Sequence, residues 1–242
     1  MSNTLRGLSE QRTTALISGI GLLLMALVAA FSYGYAHSAL LTEGDANATL
    51  QSLLAHNHLF RAELAGWIII LVLDIIVAWS CYLFLKPINQ PLSLLAAWLR
   101  LIYTAILGIA VMNLLFVQLL TTGTEYTQGY TSDQLGVQIL LHLKAFDAMW
   151  SVGLIIFGGH LLILGILALQ AVNVPGWTAV LLLIASAGYI LTHVSKLLLP
   201  EYEGIGDVVE AVFIVPMSAG ELGFALWLLF RGGKGRTQIS LG

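Results

Sequence analysis

Asp74, Arg100, Asn113, His160 and Glu221 each interrupt a long apolar run, and they are the residues with which this chain could do chemistry. An ionisable side chain in hydrocarbon is costly unless paired or hydrated, so each marks an ion pair, a proton relay or a ligand site. Asp74 and Arg100 carry opposite charge. They can fasten two helices together, or hold a proton or substrate between them. His160 is the most isolated, in "IIFGGHLLILG" (Ile155 to Gly165), where it is the only polar side chain. An imidazole there is either a hydrogen-bonded packing residue or a proton carrier or ligand. At about 1.5 Å per residue, Asp74, Arg100, His160 and Glu221 lie about 10–18 Å inside their runs, on four different helices. They are expected to meet in space, with Glu221 or Asp74 as the partner of His160.

A second set lies toward the other end of the runs: Arg61, Glu63, His142, Lys144, Asp147, His193, Asp207 and Glu210. Arg61, His142, Lys144 and Asp207 fall within a turn or two of the boundary, where headgroups or water are in reach. Helical spacing puts Glu210 and Glu221 on one face, and likewise Glu63 with Asp74 and His142 with His160; Asp207 is within about 40° of Glu221. These faces would line a polar seam running inward from the outer surface. Pro216, between the two glutamates, would free a backbone carbonyl as a further acceptor. His142, His193, Asp147 and Glu210 offer imidazole and carboxylate to a divalent metal, and His142 with His193 could hold a haem between two spans. No HxxxH or HExxH pair supports either reading, which leaves the cofactor unknown.

The elements that position these residues follow from composition. The chain has 242 residues, 58% hydrophobic and 10% charged, with mean hydropathy +0.90. A soluble domain carries about a quarter charged residues, so the medium is a bilayer. Apolar segments near 15–36, 64–85, 92–120, 148–171, 177–199 and 208–230 are each long enough to cross about 30 Å of hydrocarbon as a helix. Backbone groups in lipid must pair within the segment, which makes helices the expected form. Pro87, Pro91, Pro175 and Pro200 fall at helix ends, where a missing N–H costs little. "YAHSA" after the first run resembles a cleavage site, but the run exceeds a signal peptide's and is expected to remain as an anchor.

Arg6, Arg12, Lys86, Arg231, Lys234 and Arg236 lie at alternate connections, and the intervening ones, 37–58, 121–134 and 200–206, contain acids and no Lys or Arg. That asymmetry places both termini in the cytoplasm, although the 171–176 turn, cytoplasmic by this count, has no charge. The expectation is therefore an all-α integral membrane bundle of six transmembrane helices, a single domain over 1–242, multi-pass in the inner or plasma membrane. Cys81 is the sole cysteine, which excludes a disulfide or CxxC pair within the chain. Net charge −3 with scattered basic residues leaves no nucleic-acid footprint, and no P-loop or dinucleotide fingerprint is present. Gly158 and Gly159 would let a neighbouring backbone approach beside His160.

"RTTALISG" (Arg12 to Gly19), "GDA" (Gly44 to Ala46), "LFR" (Leu59 to Arg61), Asp74 followed by "YLFLKPIN" (Tyr82 to Asn89), "LLAAWLRL" (Leu94 to Leu101), "FGGHLLILG" and "GYI" (Gly188 to Ile190) occur in that order. In this succession the chain resembles a bacterial membrane family known as domain-of-unknown-function family 4386. The resemblance implies that Asp45, Arg61, Asp74, Arg100 and His160 are motif positions; "GWTAV" after Pro175 departs from the Arg-containing turn expected there. It supports the architecture and leaves activity open. The leading functional expectation is binding or transport of a small solute, cation or proton through the polar seam. The alternatives are an intramembrane enzyme, metal- or haem-dependent, acting on a lipid or other apolar substrate, and a structural or accessory subunit. Lipid is the expected partner; a homo-oligomer and a small-molecule or ion ligand stay open.

Overall fold

The computed structural model describes residues 2–199 and 204–234. The features expected at Pro200, Glu201, Glu203 and Arg236, and the side chains of Arg6 and Asp207, lie outside the described residues. The helices, in chain order, are α1 (Ser2–Ala29), a π-helical segment (Ala30–His37), α2 (Ser38–Leu40), α3 (Ala46–Ala55), α4 (Asn57–Leu85), α5 (Gln90–Thr122), α6 (Thr124–Thr127), α7 (Ser132–Gln170), α8 (Gly176–Leu198) and α9 (Ile205–Phe230). No strand occurs among the described residues. Among the described residues, six stretches are long and apolar enough to cross a membrane: Glu10–Leu40, Asn57–Leu85, Gln90–Thr122, Ser132–Gln170, Gly176–Leu198 and Val208–Phe230. The protein is a multi-pass membrane protein.

Several helices run well past the apolar runs read from sequence. α7 has 39 residues, about 58 Å at 1.5 Å per residue, nearly twice the hydrocarbon thickness. It starts at Ser132, far before the expected 148, because Thr131 and Gln134 cap it reciprocally. Gln134 N donates to Thr131 Oγ1 at 3.3 Å, and Thr131 N donates to Gln134 Oε1 at 3.0 Å, a capping box. Hydrophobicity marks where lipid begins; capping marks where the helix begins. The expected 37–58 connection likewise contains α3, started by Asp45, whose Oδ1 accepts from Ala48 N at 2.8 Å.

The distribution of side chains is inverted relative to a soluble protein. On α4, Ile68, Val72, Ile75 and Trp79 are exposed while Glu63, Asp74 and Ser80 are buried. Such a surface is stable only against lipid.

The chain forms two compact units. Unit 1 comprises Met1–Leu24, Leu73–Thr104 and Ser151–Gly242, and unit 2 comprises Met25–Val72 and Ala105–Trp150. In unit 1, Gly158 allows α7 to approach α8: a Cβ there would lie 3.1 Å from the Ser186 carbonyl and 2.7 Å from Ile190 Cγ1. Ser186 Oγ donates to the Gly158 carbonyl at 2.7 Å, the small-residue contact expected beside His160. Arg12 closes the C-terminal end of α9, with Nη1 donating to Gly232 O at 2.8 Å and Nη2 to Leu229 O at 2.7 Å. These carbonyls have no helical partner of their own. In unit 2, the π-helical segment packs against α4 at Gly66, where a Cβ would collide with Ser32 Oγ.

Candidate functional site

Among the described residues, each unit buries a cluster of ionisable side chains. In unit 1, α4 presents Asp74, α5 presents Arg100 and α7 presents His160, all buried. Arg100 Nη2 lies 2.7 Å from Asp74 Oδ1, the pair that complementary charge suggested. Its Nη1 lies 3.3 Å from His160 Nε2, and His160 Nδ1 lies 2.8 Å from the Ala96 carbonyl. A carbonyl only accepts and a guanidinium only donates, so Nδ1 carries the hydrogen and Nε2 offers its lone pair. One neutral tautomer satisfies both contacts. The guanidinium carbon sits 5.5 Å from the centroid of the Phe157 ring, and His160 stacks on the same ring. The expected carboxylate partner of His160 is thus replaced by Arg100 and a backbone carbonyl of α5. Imidazole and guanidinium lie together only because a lone pair, and no second charge, faces Arg100. Glu221 of α9 accepts instead from Tyr189 Oη of α8.

In unit 2 the cluster is built from the π-helical segment, α4 and α7. Glu63 is 0% exposed. Its Oε1 accepts from His37 Nδ1 at 2.8 Å and from Trp67 Nε1 at 3.4 Å, while Oε2 has no hydrogen-bond partner among the described residues. His37 turns Nε2 toward Asp147 Oδ1 at 3.9 Å. Asp147 also accepts from Tyr33 Oη at 3.5 Å, and its side chain is 28% exposed. Tyr33 stacks on His37 at 5.2 Å. Trp67 packs edge-on against Phe146 and Trp150, at 5.2 and 5.0 Å. Two acids therefore share one imidazole inside an aromatic wall. One of them is sealed, and the other reaches the surface.

The remaining candidates occupy separate contacts. Asn113 Nδ2 donates to Met149 Sδ at 3.2 Å, and its Oδ1 accepts from His142 Nδ1 at 3.2 Å; His142 stacks on Phe116. His193 lies 3.2 Å from Ser151 Oγ. Glu210 pairs with Lys196, Lys144 with Glu43 at 3.8 Å, and Arg61 is exposed. No ligand set supports a metal at His142, His193, Asp147 and Glu210: among the described residues, no three His, Cys, Asp or Glu side chains gather to hold an ion. Each of these side chains is drawn to a nearer partner, which helical angle alone could not reveal.

With this geometry in hand, comparison with known proteins is informative about kinship. The family model described as "Domain of unknown function (DUF4386)" matches residues 17–232. The chain belongs to this family. A relative from Archaeoglobus fulgidus, described as "Uncharacterized protein", is 29% identical over 178 residues, covering 74% of this chain and 88% of the relative. No solved structure matches. Among the motif positions that the DUF4386 resemblance implied, Asp45 caps a helix, Arg61 is exposed, and Asp74, Arg100 and His160 form the unit 1 cluster.

Sequence reasoning missed His37, Trp67 and Tyr33. His37 stood at the edge of the first apolar run and was assigned to the following connection. Two spacings could have found it: Tyr33 with His37 and Glu63 with Trp67 are each four residues apart, the separation of side-chain neighbours on one helical face. Tyr189, the donor to Glu221, was missed because tyrosines near span ends are ordinarily interface residues.

Proposed function

We propose that the protein binds a proton or a small cation at Glu63, within its membrane-spanning helices. One observation carries this reading. Glu63 is sealed from solvent and holds two donors on Oε1, yet its Oε2 has none among the described residues. A buried carboxylate needs a donor, a counter-charge or a proton on each exposed lone pair, and intramembrane carboxylates mark ion and proton pathways. Loading and unloading such a group is the elementary step of a proton- or cation-coupled carrier. The purified protein in lipid nanodiscs, compared with Glu63→Gln by infrared difference spectroscopy across a pH series, tests it. Expected is a carboxylic-acid carbonyl band, gained and lost reversibly with pH or with added Na⁺ or K⁺, and absent from Glu63→Gln. A band unchanged under every condition, or retained by Glu63→Gln, overturns the reading.

A structural contribution has its own support, in the other cluster. Asp74, Arg100 and His160 join three helices through contacts that occupy both terminal nitrogens of Arg100 and both ring nitrogens of His160. That arrangement suits a clasp.

A further inference from the structure

The bound species at Glu63, on the reading just proposed, has to reach a carboxylate that is closed to solvent. We infer that it is a proton, and that it travels between Asp147 and Glu63 through the imidazole of His37. Asp147 is the exposed end of the chain of groups and Glu63 the sealed end, with the ring between them, one nitrogen toward each. The space around Glu63 favours a proton over a larger ion. Trp67 and Phe146 are fully buried against the cluster, and no three side chains gather there as metal ligands among the described residues.

The transfer balances without any co-reactant. A protonated Asp147 gives its hydrogen from Oδ1 to His37 Nε2, as the hydrogen on Nδ1 passes to Glu63 Oε1. Asp147 is left a carboxylate, Glu63 becomes a carboxylic acid, and the ring stays neutral with its hydrogen exchanged from one nitrogen to the other. Unloading is the same step reversed, so the ring need not turn over. The Nδ1 contact is already at hydrogen-bond distance, 2.8 Å. The Nε2 contact, at 3.9 Å, closes by a small movement of the partly exposed Asp147 side chain or by one bridging water. The groups facing the ring are Glu63 from α4, Asp147 and Phe146 from α7, and Tyr33 from its own segment; Lys144 of α7 adds a positive charge nearby.

The π-helical geometry supports the assignment. Tyr33 and His37 lie on the segment Ala30–His37, and π-helical insertions concentrate at functional positions because they re-aim side chains at a cost in helix regularity.

The experiment is a stopped-flow pH jump on the full chain in nanodiscs, followed by tryptophan fluorescence, since Trp67 Nε1 donates to the oxygen that receives the proton. Glu63→Gln must remove the signal; if it does not, the Glu63 site itself fails. Given that control, His37→Gln should slow the relaxation about a hundredfold, the low end of what a positioned acid–base group contributes. Asp147→Asn, at a partly exposed position, should slow it as well. Relaxation at the parent rate in Asp147→Asn and in any folded His37→Gln protein overturns the relay and leaves binding at Glu63 standing.

Discussion

In unit 1, Arg100 gives one terminal nitrogen to Asp74 and the other to His160, whose second ring nitrogen holds the Ala96 carbonyl. In unit 2, Glu63 uses one oxygen twice and leaves the other with no partner among the described residues. Both clusters are buried, both contain a histidine, and both join three helical segments. Burial therefore does not separate a clasp from a port. The difference lies in access, because only the unit 2 cluster ends at a side chain that reaches the surface, Asp147.

The largest effect that tests this contrast comes from Asp74→Ala. It leaves the Arg100 guanidinium without its carboxylate and should cost about 3–5 kcal/mol, as breaking one side of a buried pair does. Replacing both residues with apolar ones of similar volume should recover much of that loss in thermal unfolding in detergent. Strictly additive losses in a double-mutant cycle would show that the two do not couple. His160→Leu is expected to cost about 1–3 kcal/mol, because it strands the Ala96 carbonyl and one Arg100 nitrogen. A change near zero would mean that neither contact contributes. Glu63→Gln should be the mildest, about 1 kcal/mol, since glutamine still accepts from His37 and Trp67, and its amide nitrogen takes the place of Oε2, which already has no partner among the described residues. If Glu63→Gln unfolds the protein more readily than Asp74→Ala, the contrast is reversed, and unit 2 holds the clasp.

The six spans were legible because hydrocarbon imposes a minimum length on apolar runs, and the deep ionisable residues were legible because lipid makes them rare. Asp74 with Arg100 followed from charge alone. Two kinds of information were missing. Helix ends were misplaced wherever a capping box, as at Thr131 and Gln134, extends a helix beyond the lipid. Partners were misassigned wherever a backbone group or an uncharged side chain satisfies a polar atom: Ala96 O for His160 and Tyr189 for Glu221. Complementary charge can be read from a sequence, whereas a carbonyl is present at every residue and marks nothing. The same blindness hid Arg12. It reads as a cytoplasmic charge, and it is also the group that closes the end of α9.

That closure of α9 by Arg12 sets an order of assembly. The guanidinium belongs to α1, and its acceptors, Leu229 and Gly232, are synthesised 217 and 220 residues later. Unit 2 comprises no residue beyond Trp150. At 5–20 residues per second, the roughly 80 residues from there to Gly232 occupy about 4–16 s. For that interval the Glu63 cluster has all its parts, while α1 carries a cation whose acceptors do not yet exist. Newly made chains should therefore be most exposed to quality control through unit 1, and a truncation before Leu228 would leave Arg12 in that state permanently.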